Sequence, residues 1–256
     1  MKIRIDIEYK GSRYYGWQKQ SSDNTIQNEV EMALKKITSE KINVIGSGRT
    51  DSGVHATNQV AAFNLNKMVN LKGLIVKLNK ELPSDIRIKS CKQVSNNFHA
   101  QHSAINKTYI YKIKNKQIET VFEKGLVFYY KKPLDYKKML KVSRYFIGEK
   151  NFKNYCKTGY SGESTIRFVQ DIKIYKKGNY ISIKITGNGF LRGMVRLIVG
   201  AMLSYSNGKI TLKDVKDSLG SSLRKLPINY SVQIGRAHVW TPVTDVSRMP
   251  SSAWKK

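Results

Sequence analysis

Ile172-Lys173-Ile174-Tyr175 and Tyr180-Ile181-Ser182-Ile183-Lys184-Ile185 stand on either side of Lys177-Gly178-Asn179. Both runs alternate apolar and polar residues, the period of a strand with one face covered. A Gly-Asn pair between two such runs supplies residues that tolerate a tight hairpin turn. An antiparallel pair is therefore expected here. Downstream, Phe190, Met194, Leu197, Ile198, Ala201, Met202 and Tyr205 recur at helical spacing. Upstream, Tyr109 to Ile113 alternates as another strand, and Tyr136 to Ile147 reads as a helix.

The same order of elements precedes this block. Met1 to Tyr9 alternates strictly, which predicts a half-buried first strand and offers no signal-peptide apolar block. Gly11 to Gln20 is a glycine-punctuated loop rich in aromatic and basic residues. A helix follows, capped by Asn24 or Thr25, with Ile26, Val30, Ala33, Leu34 and Ile37 as its buried stripe. Val44-Ile45 and Gln59 to Asn64 read as strands, Leu71 to Leu78 as a helix ended by Leu82-Pro83, and Ile86 to Ile88 as a further strand. The expected class is α+β: two related α/β halves with mainly antiparallel sheets joined around a central cleft, helices on the outer faces. Residues 1–104 form the first half and 105–233 the second.

Residues 234–256 change character. Ile234-Gly235-Arg236-Ala237-His238-Val239 is what a common sequencing adapter encodes, and Trp240 and Trp254 fall where its frame has TGA. We expect this stretch to be a non-native tail, from a bacterium that decodes UGA as tryptophan.

The chain carries 46 Lys+Arg against 18 Asp+Glu, a net charge of +28. The tail contributes only Arg236, Arg248, Lys255, Lys256 and Asp245, so the basic character belongs to the rest. Such an excess opposes compaction unless a polyanion offsets it. With 40% hydrophobic residues the chain can bury a core, so nucleic acid bound through its phosphates is the expected partner. No long apolar segment points to a membrane. Cys91 and Cys156 are too few and too far apart for a zinc site or a disulfide framework, and fit a reducing cytoplasm.

The chemistry concentrates in Gly48-Arg49-Thr50-Asp51-Ser52-Gly53-Val54-His55, an acid in a glycine-bounded turn just after a basic residue, Arg49. Asp-Ser-Gly alone is common turn chemistry. By residue type, Tyr109 equally suits a strand core, Arg196 a solvated helix face, Trp17 the core, and His55 a local hydrogen bond.

The octapeptide closely resembles the signature of the TruA-type tRNA pseudouridine synthases. Further blocks resemble the same family: Tyr14, Gly16-Trp17-Gln18, Gln20 and Thr25-Ile26-Gln27; Lys107-Thr108-Tyr109-Ile110-Tyr111; and Gly187 to Arg196. The resemblance implies a cofactor-independent isomerase without a metal, converting uridine to pseudouridine in the tRNA anticodon stem-loop (nucleotide positions 38–40). It implies Asp51 as nucleophile, Arg196 as its ion-pair partner and Tyr109 as the stacking residue. Arg49, His55, Trp17, Gln18, Arg13, Lys107 and Arg192 become candidate substrate contacts. A cytoplasmic homodimer holding one tRNA across both subunits is expected. Gln101 stands where the family has arginine, and the closing Gly-Leu-Tyr-Leu strand is missing, which leaves one sheet expected to be a strand short. The rival classes are a basic RNA-binding module without catalysis, and an RNA hydrolase, for which this sequence lacks the expected paired histidines or metal-binding carboxylate cluster.

Overall fold

The computed structural model describes residues 1–20, 24–159 and 162–220, and the backbone of 238–240. In the first half, β1 (Lys2–Tyr9) runs antiparallel to both β3 (His55–Asn64) and β4 (Ile86–Val94), and the short β2 (Ile45–Gly46) pairs with β3. The alternation seen in the sequence is realised: Ile3, Ile5 and Ile7 are fully buried. Each contributes about 2 kcal/mol by leaving water. They meet α1 (Ile26–Thr38) and α2 (Leu71–Glu81) through Ile26, Val30, Leu34, Leu74 and Leu78. Thr25 caps α1, its side chain accepting from the Asn28 amide, as expected. On the opposite face of β3, Val60 and Ala62 are covered by Phe98 and Ala100.

The second half repeats the plan. β5 (Lys107–Lys114), β9 (Tyr180–Gly187) and β8 (Ile166–Lys177) are antiparallel neighbours, with β7 (Gly148–Asn151) beyond β8 and β6 (Phe128–Tyr129) beside β5. Gly178 makes the β8–β9 turn at φ 55°. α3 (Tyr136–Ser143) and α4 (Met194–Ser206) pack over this sheet around Tyr111, Phe146, Ile183 and Ile198.

Two expectations are corrected, and one element is added. The helix read from Tyr136 to Ile147 stops at Ser143 and tightens into a 3-10 turn over Arg144–Phe146. There the Ser143 hydroxyl donates to the Leu140 carbonyl at 2.9 Å and competes with the helical ladder. The long helix begins at Met194 rather than Phe190, because Gly193 sits at φ 72°, outside helical space. α5 (Leu212–Ser218) was not anticipated, although Thr211 and Asp214 form a reciprocal capping box at its start.

The two half-sheets join into one, in the order β4-β1-β3-β10-β5-β9-β8-β7. β10 (His238–Trp240) lies parallel to β3 and antiparallel to β5. The expected gap is therefore filled, by three residues of the segment set apart as a tail. Unpaired edge amides and carbonyls of β3 and β5 accept any extended backbone, whatever its side chains. The rest of 234–256 lies outside the described residues.

Candidate active site

Asp51 sits in the loop between β2 and β3, and this loop is held from below by backbone. The Trp17 amide donates to the Thr50 carbonyl at 3.1 Å, and the Gly53 amide to the Tyr14 carbonyl at 3.1 Å. The Val54 amide closes the turn onto the Asp51 carbonyl at 3.1 Å. The Gln59 side-chain amide donates to the Gly48 carbonyl, and the buried Tyr9 hydroxyl meets Thr50 Oγ1 at 2.9 Å.

This packing explains the glycines of the 11–20 segment. A Cβ at Gly11 would stand 2.0 Å from the Val54 carbonyl oxygen, and one at Gly16 2.4 Å from that of Thr50. Gly16 also takes φ 98°. Two backbone segments approach at distances that only glycine permits.

The facing wall comes from the second half. Arg196, in the first turn of α4, brings Nη1 to 3.5 Å from Asp51 Oδ2; their side chains are 15% and 34% exposed. Tyr109, on β5, packs against both cores at the seam between the halves, and Phe190 meets it edge-on with ring centroids 5.0 Å apart. Burial, and then the negative charge of Asp51, push the Tyr109 phenol well above the usual tyrosine range. Tyr109 thus keeps its proton at neutral pH and stands near the acid as a neutral ring.

The other expected contacts divide. Arg49 is exposed on the Asp51 loop, Gln18 is half-buried, and Lys107 carries its ammonium over Gly48. Arg192 is exposed and donates to the Thr158 carbonyl at 3.2 Å. Arg13 is engaged with Asp85 at 2.9 Å, beside the Tyr14 hydroxyl on the same carboxylate. Two residues depart from the expected contact role because they are buried. Trp17 is 2% exposed and packs under the loop beside Gly46 and Tyr9; His55 is 4% exposed and bonds the Gly125 carbonyl at 3.1 Å. Trp17 supports the loop from inside, while His55 ties the start of β3 to the Gly125 turn. Gln101 is exposed, its backbone N–H donating to His99 Nδ1 at 3.2 Å. Sequence reasoning missed Thr50, Tyr9 and Phe190 as parts of the site, though Thr50 and Phe190 lie inside the quoted motifs.

Among the described residues, no three His, Cys, Asp or Glu side chains gather as a metal site, and no helix is long and apolar enough to cross a membrane.

A basic α+β protein of two halves, with one carboxylate from the first half facing a guanidinium and a tyrosine from the second, is the class that fold and site define. A family model described as tRNA pseudouridine synthase matches residues 6–103 and 142–235. The chain belongs to that family, whose members are isomerases converting uridine to pseudouridine. It is 41% identical over 223 residues to tRNA pseudouridine synthase A 2 of Clostridium perfringens, covering 87% of this chain and 91% of the relative. It is also 41% identical over 213 residues to tRNA pseudouridine synthase A of Caldicellulosiruptor bescii (83% and 87% covered). A third relative, of the same name, from a Thermoanaerobacter species is 40% identical over 222 residues, 87% of this chain and 91% of its own.

Proposed function

We propose that this protein isomerises uridines of the tRNA anticodon stem-loop, with Asp51 as the nucleophile. The observation that carries this reading is the 3.5 Å pair between Asp51 and Arg196, residues 145 positions apart that come from opposite halves. A surface ion pair could form anywhere. This one sits in a glycine-bounded loop, beside a half-buried tyrosine, in the sequence context the family shares.

The chemistry needs no redox carrier, because the product is an isomer of the substrate. The bond between N1 and the sugar C1′ breaks, the base turns, and C5 joins C1′; C5 gives up its proton to solvent and N1 takes one up, so substrate and product have the same atoms. A carboxylate is a recognised partner for a glycosidic carbon. The uridine first leaves its stack. Arg196 pairs with the Asp51 carboxylate and holds it toward the substrate, and Tyr109 stacks on the extruded base and can lend its hydroxyl proton. Arg49, Gln18 and Arg192 contact the surrounding RNA. The same reading includes a cytoplasmic homodimer in which one tRNA spans both subunits, and a non-native origin for residues 234–256.

Tritium release from C5-labelled uridine in tRNA tests the reading directly, since the C5 proton is lost at each turnover. Asp51→Ala and Asp51→Asn should release none above background; normal turnover by Asp51→Ala would overturn the assignment. Sedimentation with and without tRNA tests the dimer.

A further inference from the structure

A second feature of the cleft lies beside the Asp51 loop. Lys107 opens β5, two residues before Tyr109, so both project from the same face of that strand. It stands opposite Gly187 on β9. Its Nζ lies 3.7 Å from where a Cβ of Gly48 would be, three residues before Asp51. Arg167, near the start of β8, lies against Gly189 in the same manner, its Cδ and Nε 3.8 Å from the missing Cβ. Gly187 is fixed by a separate constraint: a Cβ there would come within 2.7 Å of the Phe168 carbonyl oxygen. Gly48 and Gly189 thus leave two cations lying over bare backbone.

The other end of β5 provides a contrast. Lys114 is paired with Glu123, and its ammonium is held well above the usual lysine range. Lys107 shifts the other way, lowered first by burial and then by the charge of Arg167. Among the described residues, Lys107 makes no ion pair within 4.0 Å. Lys107 on β5 and Val169 on β8 both stand opposite Gly187, and Arg167 is two residues before Val169, so the two cations share one face of the sheet. Arg167 Nη1 is itself steadied by the Ser164 carbonyl at 3.0 Å and by that of Ile166. Two like charges on one face favour an anion that can sit between them. An ammonium is a point charge and a guanidinium a planar fork, a combination suited to the two free oxygens of a phosphodiester.

We propose that Lys107 and Arg167 together seat one backbone phosphodiester of the RNA, next to the extruded uridine. This rests on the reading that Asp51 acts on a uridine of tRNA. Both are positioning residues: they fix the phosphate so that the neighbouring sugar presents C1′ to Asp51.

The test uses full-length unmodified tRNA and the Asp51→Ala background, in which substrate is not consumed. Binding is measured over a series of salt concentrations. Each neutralised phosphate contributes about one unit to the slope of log affinity against log salt. Lys107→Met and Arg167→Gln should each make the slope shallower by about one. The double variant should be no shallower than either single variant, because only one phosphate is lost. Lys107→Arg should keep the parent slope. Unchanged slopes in both single variants would overturn the proposal, and so would a loss of two units in the double variant. If Lys107→Met does not fold, Arg167→Gln alone carries the first criterion, and its combination with Lys107→Gln the second. Failure of the catalytic reading is seen separately: the protein with Asp51 intact would release no tritium while the salt slopes behaved as stated.

Discussion

The two walls of the cleft are built by different means. The Asp51 wall is an irregular loop, fixed by backbone hydrogen bonds to the 11–17 segment and by glycines that let two chains touch. The facing wall is regular structure: Tyr109 projects from β5 and Arg196 from α4, positioned by a packed core. A loop can aim a short side chain such as aspartate only if its backbone is pinned, whereas strands and helices aim long side chains through their ordinary periodicity. Substitutions should therefore act through backbone on the first wall and through side-chain chemistry on the second.

The largest expected effect is at Asp51 itself. Asp51→Asn should lower tritium release by about 10⁴-fold or more, with a melting temperature close to the parent's. A large drop in melting temperature would make Asp51 a structural residue and blur the contrast. Arg196→Met comes next, with a loss of activity on the order of 10²- to 10³-fold, comparable to removing one preorganised charge partner. Arg196→Lys should recover part of it, read by the same assay.

Stability then separates the walls. Gly11→Ala must displace backbone of the Asp51 loop and should cost about 1–3 kcal/mol in urea unfolding. Gly178→Ala at the β8–β9 turn meets open space and strains only φ, so about 1 kcal/mol is expected. Equal costs would show that the loop yields. Thr50→Val leaves the buried Tyr9 hydroxyl without its partner and should cost about 1–3 kcal/mol.

The smallest effect concerns pH. Tyr109 titrates higher folded than unfolded, so its contribution to stability is complete below the ordinary tyrosine range, about pH 10, and is lost as pH rises beyond it. Tyr109→Phe should flatten part of the fall in melting temperature between neutral and strongly alkaline pH. An unchanged curve would mean that the other tyrosines shifted in the same direction, Tyr9, Tyr14, Tyr129, Tyr130 and Tyr155, account for all of it.

Much of this was legible in the sequence, for identifiable reasons. Period-2 runs such as Ile181-Ile183-Ile185 and the period-3.6 stripe of α1 are local, and local signals survive folding unchanged. The ends of α3 and α4 were misjudged because the deciding features, a back-bonding Ser143 and a positive φ at Gly193, do not interrupt apolar periodicity. The capping box of α5 was visible and was overlooked. Trp17 and His55 show a different limit. An aromatic residue beside basic ones reads the same whether it supports a loop from beneath or meets substrate from above, and only burial separates the two. The pairing of Asp51 with Arg196 left no trace in spacing, since it spans 145 residues; it was reached through family resemblance. β10 lay outside any side-chain reading, because strand pairing is a property of backbone.

That long separation also bears on how the protein comes into being. Asp51 is in place once the first half has folded, but its counter-charge lies in the first turn of α4, late in the chain. Synthesis proceeds from the N-terminus and domains fold as units. For the interval in which Arg196 is still unmade, the first half presents its acid alone. Closing so long a loop adds little extra entropy once both halves are formed, but it defers the contact to the slow, non-local stage of folding. Activity should therefore appear as a late step in refolding, after the recovery of secondary structure, and nascent chains should be inert toward tRNA until the second half has docked.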